Sequence, residues 1–292
     1  MCSPQAILSY NKNMKAVQEC YPCLSRLLRQ SAEIATSREA LQAKAIDAGM
    51  AVLEKYFSTD GLTIDVATRL ARVVREVTGN NDPYLPMKRR EIELSRKLVA
   101  QVSDRVADSF KSYLSLSLAG NALDFFRDLE QARKDIEGPI TFVLDDSAAF
   151  EHKLKEAKSL MFLADNAGEV FFDAPLVKWL SRFVSITYVV KKSPIQNDAT
   201  IDDLRRAGLD GDLGRIITTG LATPGVIFEN ASREFKLEYK AADLVLAKGM
   251  GYWEGLTELP ARGNVLHLSM AKCKPVADSM GVPLNSFVAI LR

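Results

Sequence analysis

The chain has 292 residues, of which 47% are hydrophobic and 26% charged, as is typical of a folded globular protein. Its 38 basic and 37 acidic residues give a net charge of +1, so no broad binding surface for nucleic acid or an anionic membrane is expected. The sequence has no apolar run near the roughly 20 residues that cross a bilayer, and residues 1–15 lack the apolar core of a signal peptide. We expect a cytoplasmic protein, with the oligomeric state left open.

The first half of the chain is patterned for helices. Hydrophobic residues recur at helical spacing over 17–30, 37–56, 64–77 and 87–126, the last range with a break. The pattern then changes near residue 140. We therefore predict a helical domain over 1–138 and a second domain over 139–292.

The four cysteines do not form the pattern of a disulfide framework, which would in any case be unusual in a cytoplasmic protein. They are Cys2, Cys20, Cys23 and Cys273. The pair Cys20 and Cys23 has the CxxC spacing that suits zinc or redox chemistry, but a structural zinc site needs about four ligands. Packing as small apolar residues on a helix is at least as good an interpretation.

Two polar clusters interrupt the helical half. Asp82 lies in a Gly-Asn-Asn-Asp-Pro turn and is followed by Lys88, while Asn121 and Asp124 are three residues apart and share a helix face. Turns and helix capping explain such residues equally well. The alternative is that they face a ligand.

The second half alternates short β-branched runs with amphipathic stretches, which predicts a mostly parallel sheet with helices on both faces. This is a three-layer, Rossmann-like α/β fold that follows an all-helical N-terminal domain. The predicted strands cover 160–164, 186–190, 215–219, 244–247, 265–268 and 287–291, with 140–144 as a further strand or an extended lead-in.

The first clear strand of this half ends on Asp165 and Asn166, which stand before a predicted helix. Asp198 follows the next strand 33 residues later, about the length of one β-α-β unit, so it is expected at the same sheet edge. Capping is the alternative for either residue. Together they offer oxygen ligands suited to Mg²⁺, Mn²⁺ or Co²⁺, and the helix after Asn166 would direct its amides at an anion.

Other strand ends carry glycines. Gly220 begins a compact loop whose backbone could approach a ligand closely, although an ordinary surface turn is an equally good interpretation. Lys248 ends a strand and is followed by Gly249 and Gly251, where its charge could offset that of a phosphate. The lone GxG spacing is weak evidence for a nucleotide.

Taken in order, these motifs resemble the DUF89, or damage-control phosphatase, family, which is related to a protein known as acidic-residue methyltransferase. The similarity covers nearly the whole chain and is strongest with the stand-alone microbial and archaeal branch. The motifs that carry it are Cys20-x-x-Cys23, Asp82-Pro83-Tyr84 with Lys88, Gly120-Asn121-x-x-Asp124, Asp165-Asn166-Ala167-Gly168-Glu169 with Phe172-Asp173, residues 191–198, Lys248-Gly249-Met250-Gly251 and Lys272-Cys273.

The resemblance implies a metal-dependent phosphatase acting on small phosphate esters, such as sugar phosphates or damaged phosphometabolites. By it, Asp165, Asn166 and Asp198 hold a divalent ion (Mg²⁺, Mn²⁺, Co²⁺ or Ni²⁺), and Lys248 contacts the phosphate. The nucleophile is water or an aspartate, and Asp198 or Glu169 is a candidate base. A helix-start charge is the simpler interpretation of Glu169.

The resemblance places Asn121 and Asp124 on the substrate side, and we extend the substrate-binding set to Asp82, Lys88, Gly220 and Glu254. The family branch usually continues its Lys-Gly-Met-Gly with Asn, an aromatic residue and Glu, whereas this chain has Tyr252-Trp253-Glu254. That departure falls in the expected substrate pocket.

The sequence also allows two other functions. One is a noncatalytic module that binds a sugar phosphate or a metal, which the departure at Tyr252 allows. The other is an S-adenosylmethionine-dependent carboxylate methyltransferase. The first strand-to-helix turn has no glycine-rich cofactor loop, which argues against this function.

Overall fold

The computed structural model describes residues 13–102, 106–123 and 140–292. Within these ranges it contains eleven α-helices and seven strands. The helices are α1 (Cys20–Ala35), α2 (Glu39–Tyr56), α3 (Thr63–Thr78), α4 (Leu85–Val102), α5 (Phe110–Ala119), α6 (Ser147–Leu154), α7 (Val170–Leu180), α8 (Ile201–Ala207), α9 (Arg233–Ala241), α10 (Met250–Leu256) and α11 (Lys274–Met280).

The strands form a single seven-stranded sheet in the order β1-β7-β6-β5-β2-β3-β4. They are β1 (Phe142–Asp145), β2 (Ser159–Leu163), β3 (Ser185–Val190), β4 (Arg215–Thr218), β5 (Leu244–Lys248), β6 (Val265–Met270) and β7 (Phe287–Leu291). Every neighbouring pair is parallel except β6 with β7. The prediction of a mostly parallel sheet is confirmed, and residues 140–144 do contribute a strand.

The sheet is covered on both faces, because alternate strand residues enter two different apolar cores. Phe162 and Tyr188 point into one core, which also takes side chains from α5, α6, α7 and α8. Met161 and Val189 point into the other, which is completed by α9 and α10. A central parallel sheet that is buried on both faces is the three-layer arrangement expected from the sequence.

The helical half is divided in its packing. Helices α1, α2 and α3 share an apolar cluster that includes Leu28, Leu53 and Leu70. By contrast, Phe110 and Leu114 of α5, with Ile92 of α4, pack into the core beneath the sheet. The predicted domain boundary at 138/139 falls within 124–139, outside the described residues, and stays a prediction.

The thiols of Cys20, Cys23 and Cys273 are free, and Cys2 lies outside the described residues. Burial raises the pKa of the Cys273 thiol to about 12. Among the helices that the structure describes, none combines the length and the apolar character needed to cross a bilayer.

Candidate active site

Three neighbouring strands end in polar residues at one edge of the sheet. Asp165 lies two residues beyond β2, Lys191 directly follows β3, and Lys248 is the last residue of β5. The order β5-β2-β3 places the acid on the central strand, with a lysine on each side. The chain also changes direction here, because β3 and β4 extend to one side of β2 and β5 to the other. Ligands of open α/β sheets bind at such switch points.

The loop after β3 folds back onto the loop after β2. Asn166 and Asp198 form an antiparallel bridge. The amide of Ala199 donates to the carbonyl oxygen of Asp165 at 2.8 Å, and the amide of Ala167 donates to that of Asn197 at 2.8 Å. The structure therefore brings together Asp165, Asn166 and Asp198, as the spacing predicted.

Gly249 makes room for the Asp165 carboxylate. Its φ is +85°, and a Cβ at this position would lie 2.0 Å from Asp165 Oδ2. Both the backbone conformation and the close approach require glycine.

On the β5 side, Lys248 is fully buried and forms ion pairs with Glu169 (2.6 Å) and Asp173 (2.5 Å). Its ammonium also donates to the carbonyl oxygen of Ser117 at 3.0 Å. Asp173 in turn accepts hydrogen bonds from Ser117 Oγ (2.7 Å) and Tyr188 OH (2.8 Å). We call Lys248, Glu169 and Asp173 the Lys248 cluster. The two acids raise the pKa of Lys248 against the opposing effect of burial, so it stays charged.

Asn121 links this cluster to Asp165. Its amide nitrogen donates to Asp165 Oδ2 (3.2 Å) and Glu169 Oε1 (2.9 Å), while its oxygen accepts from the amide of Met270 (3.1 Å). Asn166 Nδ2 also donates to Glu169 Oε1 at 2.7 Å. That bond directs the amide nitrogen of Asn166 at the acid and leaves its oxygen turned away from it.

On the β3 side, Lys191 is fully buried and donates to the carbonyl oxygen of Gly225 at 2.7 Å. Its Nζ lies 3.3 Å from Asp198 Oδ1 and 4.0 Å from the centre of the Tyr252 ring. We call Lys191, Asp198 and Tyr252 the Lys191 cluster.

Burial and mutual repulsion make the acids of the site reluctant to ionise. Burial, followed by the charges of Glu169 and Asp198, raises the pKa of Asp165 well above its usual value. Burial raises the pKa of Asp198 to about 6, against the opposing effect of Lys191. Carboxylates placed this close together favour a bound cation.

Asp82 and Lys88 take part in a further charged connection, in which Lys88 is fully buried. Lys88 Nζ lies 2.8 Å from Asp82 and 2.9 Å from Asp203, and Asp203 belongs to the capping box that Thr200 begins at α8. The pair thereby ties α4 to the helix after Asp198. The charge of Lys88 also lowers the pKa of Asp198.

The remaining candidates are dispersed. Glu254 accepts a hydrogen bond from Thr63 of α3, and burial raises its pKa to about 8. Gly220, at φ +79°, packs against Ser232, the N-cap of α9. Asp124 lies outside the described residues. The prediction that these three contact substrate is not tested by the geometry.

Sequence reasoning assigned no role to three residues that the structure places around the acids. They are Lys191, Asp173 and Lys272, whose charge lowers the pKa of Asp165. For Lys191 a signal was available, because it stands at the end of β3 as Lys248 does at the end of β5. Asp173 lies one helical turn after Glu169, but its pairing with Lys248 spans 75 residues and required the fold.

Comparison with known proteins agrees with this picture. Residues 16–288 match the family model described as the damage-control phosphatase ARMT1-like domain. A damage-control phosphatase from Archaeoglobus fulgidus is 32% identical, with 94% of this chain and 99% of that protein aligned. Another from Pyrococcus horikoshii is 29% identical over 95% of this chain and 98% of its own length.

A crystal structure of a DUF89 family protein from Pyrococcus horikoshii superposes with a TM-score of 0.88 at 28% identity, covering 96% of this chain and 99% of the other. The family model and both curated relatives span almost the whole sequence. The chain therefore belongs to the damage-control phosphatase ARMT1-like (DUF89) family, whose relatives support a phosphatase role.

Proposed function

We propose that this protein is a divalent-metal-dependent phosphatase of small phosphorylated metabolites, with Asp165, Asn166 and Asp198 as the metal ligands. The observation that carries the proposal is the bridge between Asn166 and Asp198, which brings two strand ends together beside Asp165. Sugar phosphates and damaged phosphometabolites are the proposed substrates.

The donor set fits a hard cation. Two carboxylates and one amide offer oxygen atoms, which suit Mg²⁺, Mn²⁺, Co²⁺ or Ni²⁺ better than the sulfur and nitrogen ligands of structural zinc. Within the described part of the chain no three His, Cys, Asp or Glu side chains form a metal-binding group, and the proposed site has an amide, Asn166, as its third ligand. Bound there, a divalent ion would polarise the phosphate and stabilise charge that develops during hydrolysis.

Glu169 is suited to orientation rather than proton transfer. Asn121 and Asn166 donate to Oε1, and Lys248 pairs with Oε2, so both of its oxygens are engaged. Through Asn166 Nδ2, the acid fixes the orientation of a proposed ligand. Lys248 is engaged by three protein groups, so the predicted contact between Lys248 and phosphate would require one of them to be released.

We add Lys272 to the proposed substrate contacts. It follows β6, is half-buried, and acts electrostatically on Asp165. Its ammonium would offset the charge of the phosphate as a point charge.

The test is phosphate release from a panel of small phosphate esters. Protein stripped with EDTA is assayed with Mg²⁺, Mn²⁺, Co²⁺ or Ni²⁺ added back singly. Metal-restored turnover is the expected result and identifies the substrate class. Ion binding without turnover on any ester would instead favour the noncatalytic module, and turnover in EDTA would contradict the metal-dependent mechanism.

A further inference from the structure

The ion pair between Lys191 and Asp198 is loose for a buried one. The Nζ to Oδ1 distance is 3.3 Å, whereas charge-assisted hydrogen bonds of this type measure about 2.7–2.9 Å. Asp198 Oδ1 is buried and accepts no hydrogen bond within the described part of the chain. A carboxylate oxygen left in this state is costly unless a ligand uses it.

Two other groups hold the ammonium of Lys191. The carbonyl oxygen of Gly225 accepts its hydrogen bond at 2.7 Å, and the face of Tyr252 lies 4.0 Å away. An aromatic face attracts a cation most strongly where both are desolvated, and the side chains of Lys191 and Tyr252 are both 0% exposed.

The backbone fixes these two anchors relative to each other. A Cβ on Gly225 would lie 2.0 Å from the carbonyl oxygen of Gly251, so the loop at Gly225 directly contacts the first turn of α10, just before Tyr252. The Tyr252 ring is further held by the apolar core on the other face of the sheet, which α9 and α10 complete. The ring is therefore held against the ammonium of Lys191.

We propose that Tyr252, together with the Gly225 carbonyl, restrains Lys191 and so keeps Asp198 Oδ1 available to a divalent cation. Tyr252 is thus a positioning residue that acts through Lys191. This inference rests on the proposed function, because it takes Asp198 as a metal ligand. Without the aromatic face, the ammonium would move closer to Asp198 and compete with the cation for the same oxygen.

The experiment measures the Kd for Mn²⁺ by titration calorimetry on protein stripped with EDTA, with melting temperatures recorded for each variant. We expect Tyr252→Leu to raise the Kd about tenfold, which corresponds to the loss of a desolvated cation–π contact. Tyr252→Phe keeps the ring and should remain within about twofold of the unmodified protein. If Tyr252→Leu folds poorly, Tyr252→Met replaces it.

Lys191→Met separates positioning from core support. With the competing ammonium removed, Tyr252→Leu should no longer change the Kd. The matched control is Tyr239→Leu, since Tyr239 lies in the same apolar core and beneath a cation, Arg262, at 5.6 Å. It should lower the melting temperature without changing the Kd.

The outcomes distinguish the inference from the proposed function. An unchanged Kd in Tyr252→Leu, or an equal loss in the Lys191→Met background, overturns the inference and leaves the metal site intact. Absence of Mn²⁺ binding by the unmodified protein overturns both.

Discussion

The two lysines beside Asp165 are equally buried but held very differently. Lys248 pairs with two acids at 2.5 and 2.6 Å, and the partners of those acids continue into Ser117, Tyr188 and Asn121. Lys191 faces one acid at 3.3 Å and relies on a carbonyl and an aromatic face. Each cluster contains a buried carboxylate oxygen without a hydrogen bond in the described chain, but Glu169 Oε2 lies 2.6 Å from its ammonium and Asp198 Oδ1 lies 3.3 Å from its own.

This difference separates scaffold from site. A tightly paired buried network fixes the side chains that belong to it, because every alternative arrangement leaves a charge unpaired. A loosely paired network has bonding capacity left for a ligand. We therefore expect changes in the Lys248 cluster to act first on stability, and changes among Asp165, Asp198 and Lys191 to act first on ligand binding and turnover.

The largest expected effect is on activity. Asp165→Ala removes a proposed metal ligand between the two clusters, so kcat/KM should fall about a thousandfold or more. The fold should persist, because the change also removes a repelling buried charge. Phosphate release in metal-supplemented buffer measures the loss of activity, and circular dichroism checks that the fold persists. Asp202→Ala, an exposed acid on α8, is the control. Retained activity in Asp165→Ala would remove it from the ligand set.

Lys248→Met tests the scaffold. It leaves Glu169 and Asp173 buried without their counter-charge, and breaking a buried pair in this way costs about 3–5 kcal/mol of unfolding free energy. Urea denaturation measures the loss. The control is Lys111→Met, whose ion pair with Asp145 has a lysine side chain that is 62% exposed and should contribute no more than about 1 kcal/mol. Equal losses in the two variants would show that the Lys248 cluster is not a stabilising scaffold.

Gly249→Ala tests the space beside Asp165. The added Cβ would lie 2.0 Å from Asp165 Oδ2, so the carboxylate must move, although no residue of either lysine cluster is substituted. A misplacement of about 1 Å can cost roughly a hundredfold in rate, and we expect a loss of that order in kcat/KM. Gly263→Ala is the control, because Gly263 also has a positive φ but nothing within 4 Å of its Cβ position. If both substitutions have the same effect, backbone strain accounts for it.

The smallest effect concerns a buried histidine. Burial lowers the pKa of His267 from 6.5 to about 3. The unfolded chain therefore binds a proton between these pH values while the folded protein does not, so His267 makes stability fall as the pH drops below about 6.5. The loss attributable to it near pH 5 is about 2 kcal/mol. His267→Leu should flatten urea-denaturation stability between about pH 7 and 5. An unchanged slope would show that other groups govern it.

The sequence determined the elements and the chemistry of the central acids. Helical and alternating periodicities identified the helical half and the α/β half. The 33-residue spacing predicted that Asp198 lies at the sheet edge that carries Asp165. These features are local, or depend on one β-α-β unit. Local backbone preference and burial follow from the order of the residues, so the sequence is enough to predict them.

Only the tertiary structure decided which groups surround those acids. The order β5-β2-β3 places Lys248 and Lys191 on opposite sides of Asp165, and Asn121 reaches Asp165 and Glu169 from the short 3₁₀ helix that follows α5. Lys88, which the sequence placed in the substrate-binding set, pairs with Asp203, which is 115 residues away. Periodicity shows which face of an element is buried but not which strand lies beside it, so contacts between charges distant in sequence arise only when the sheet assembles.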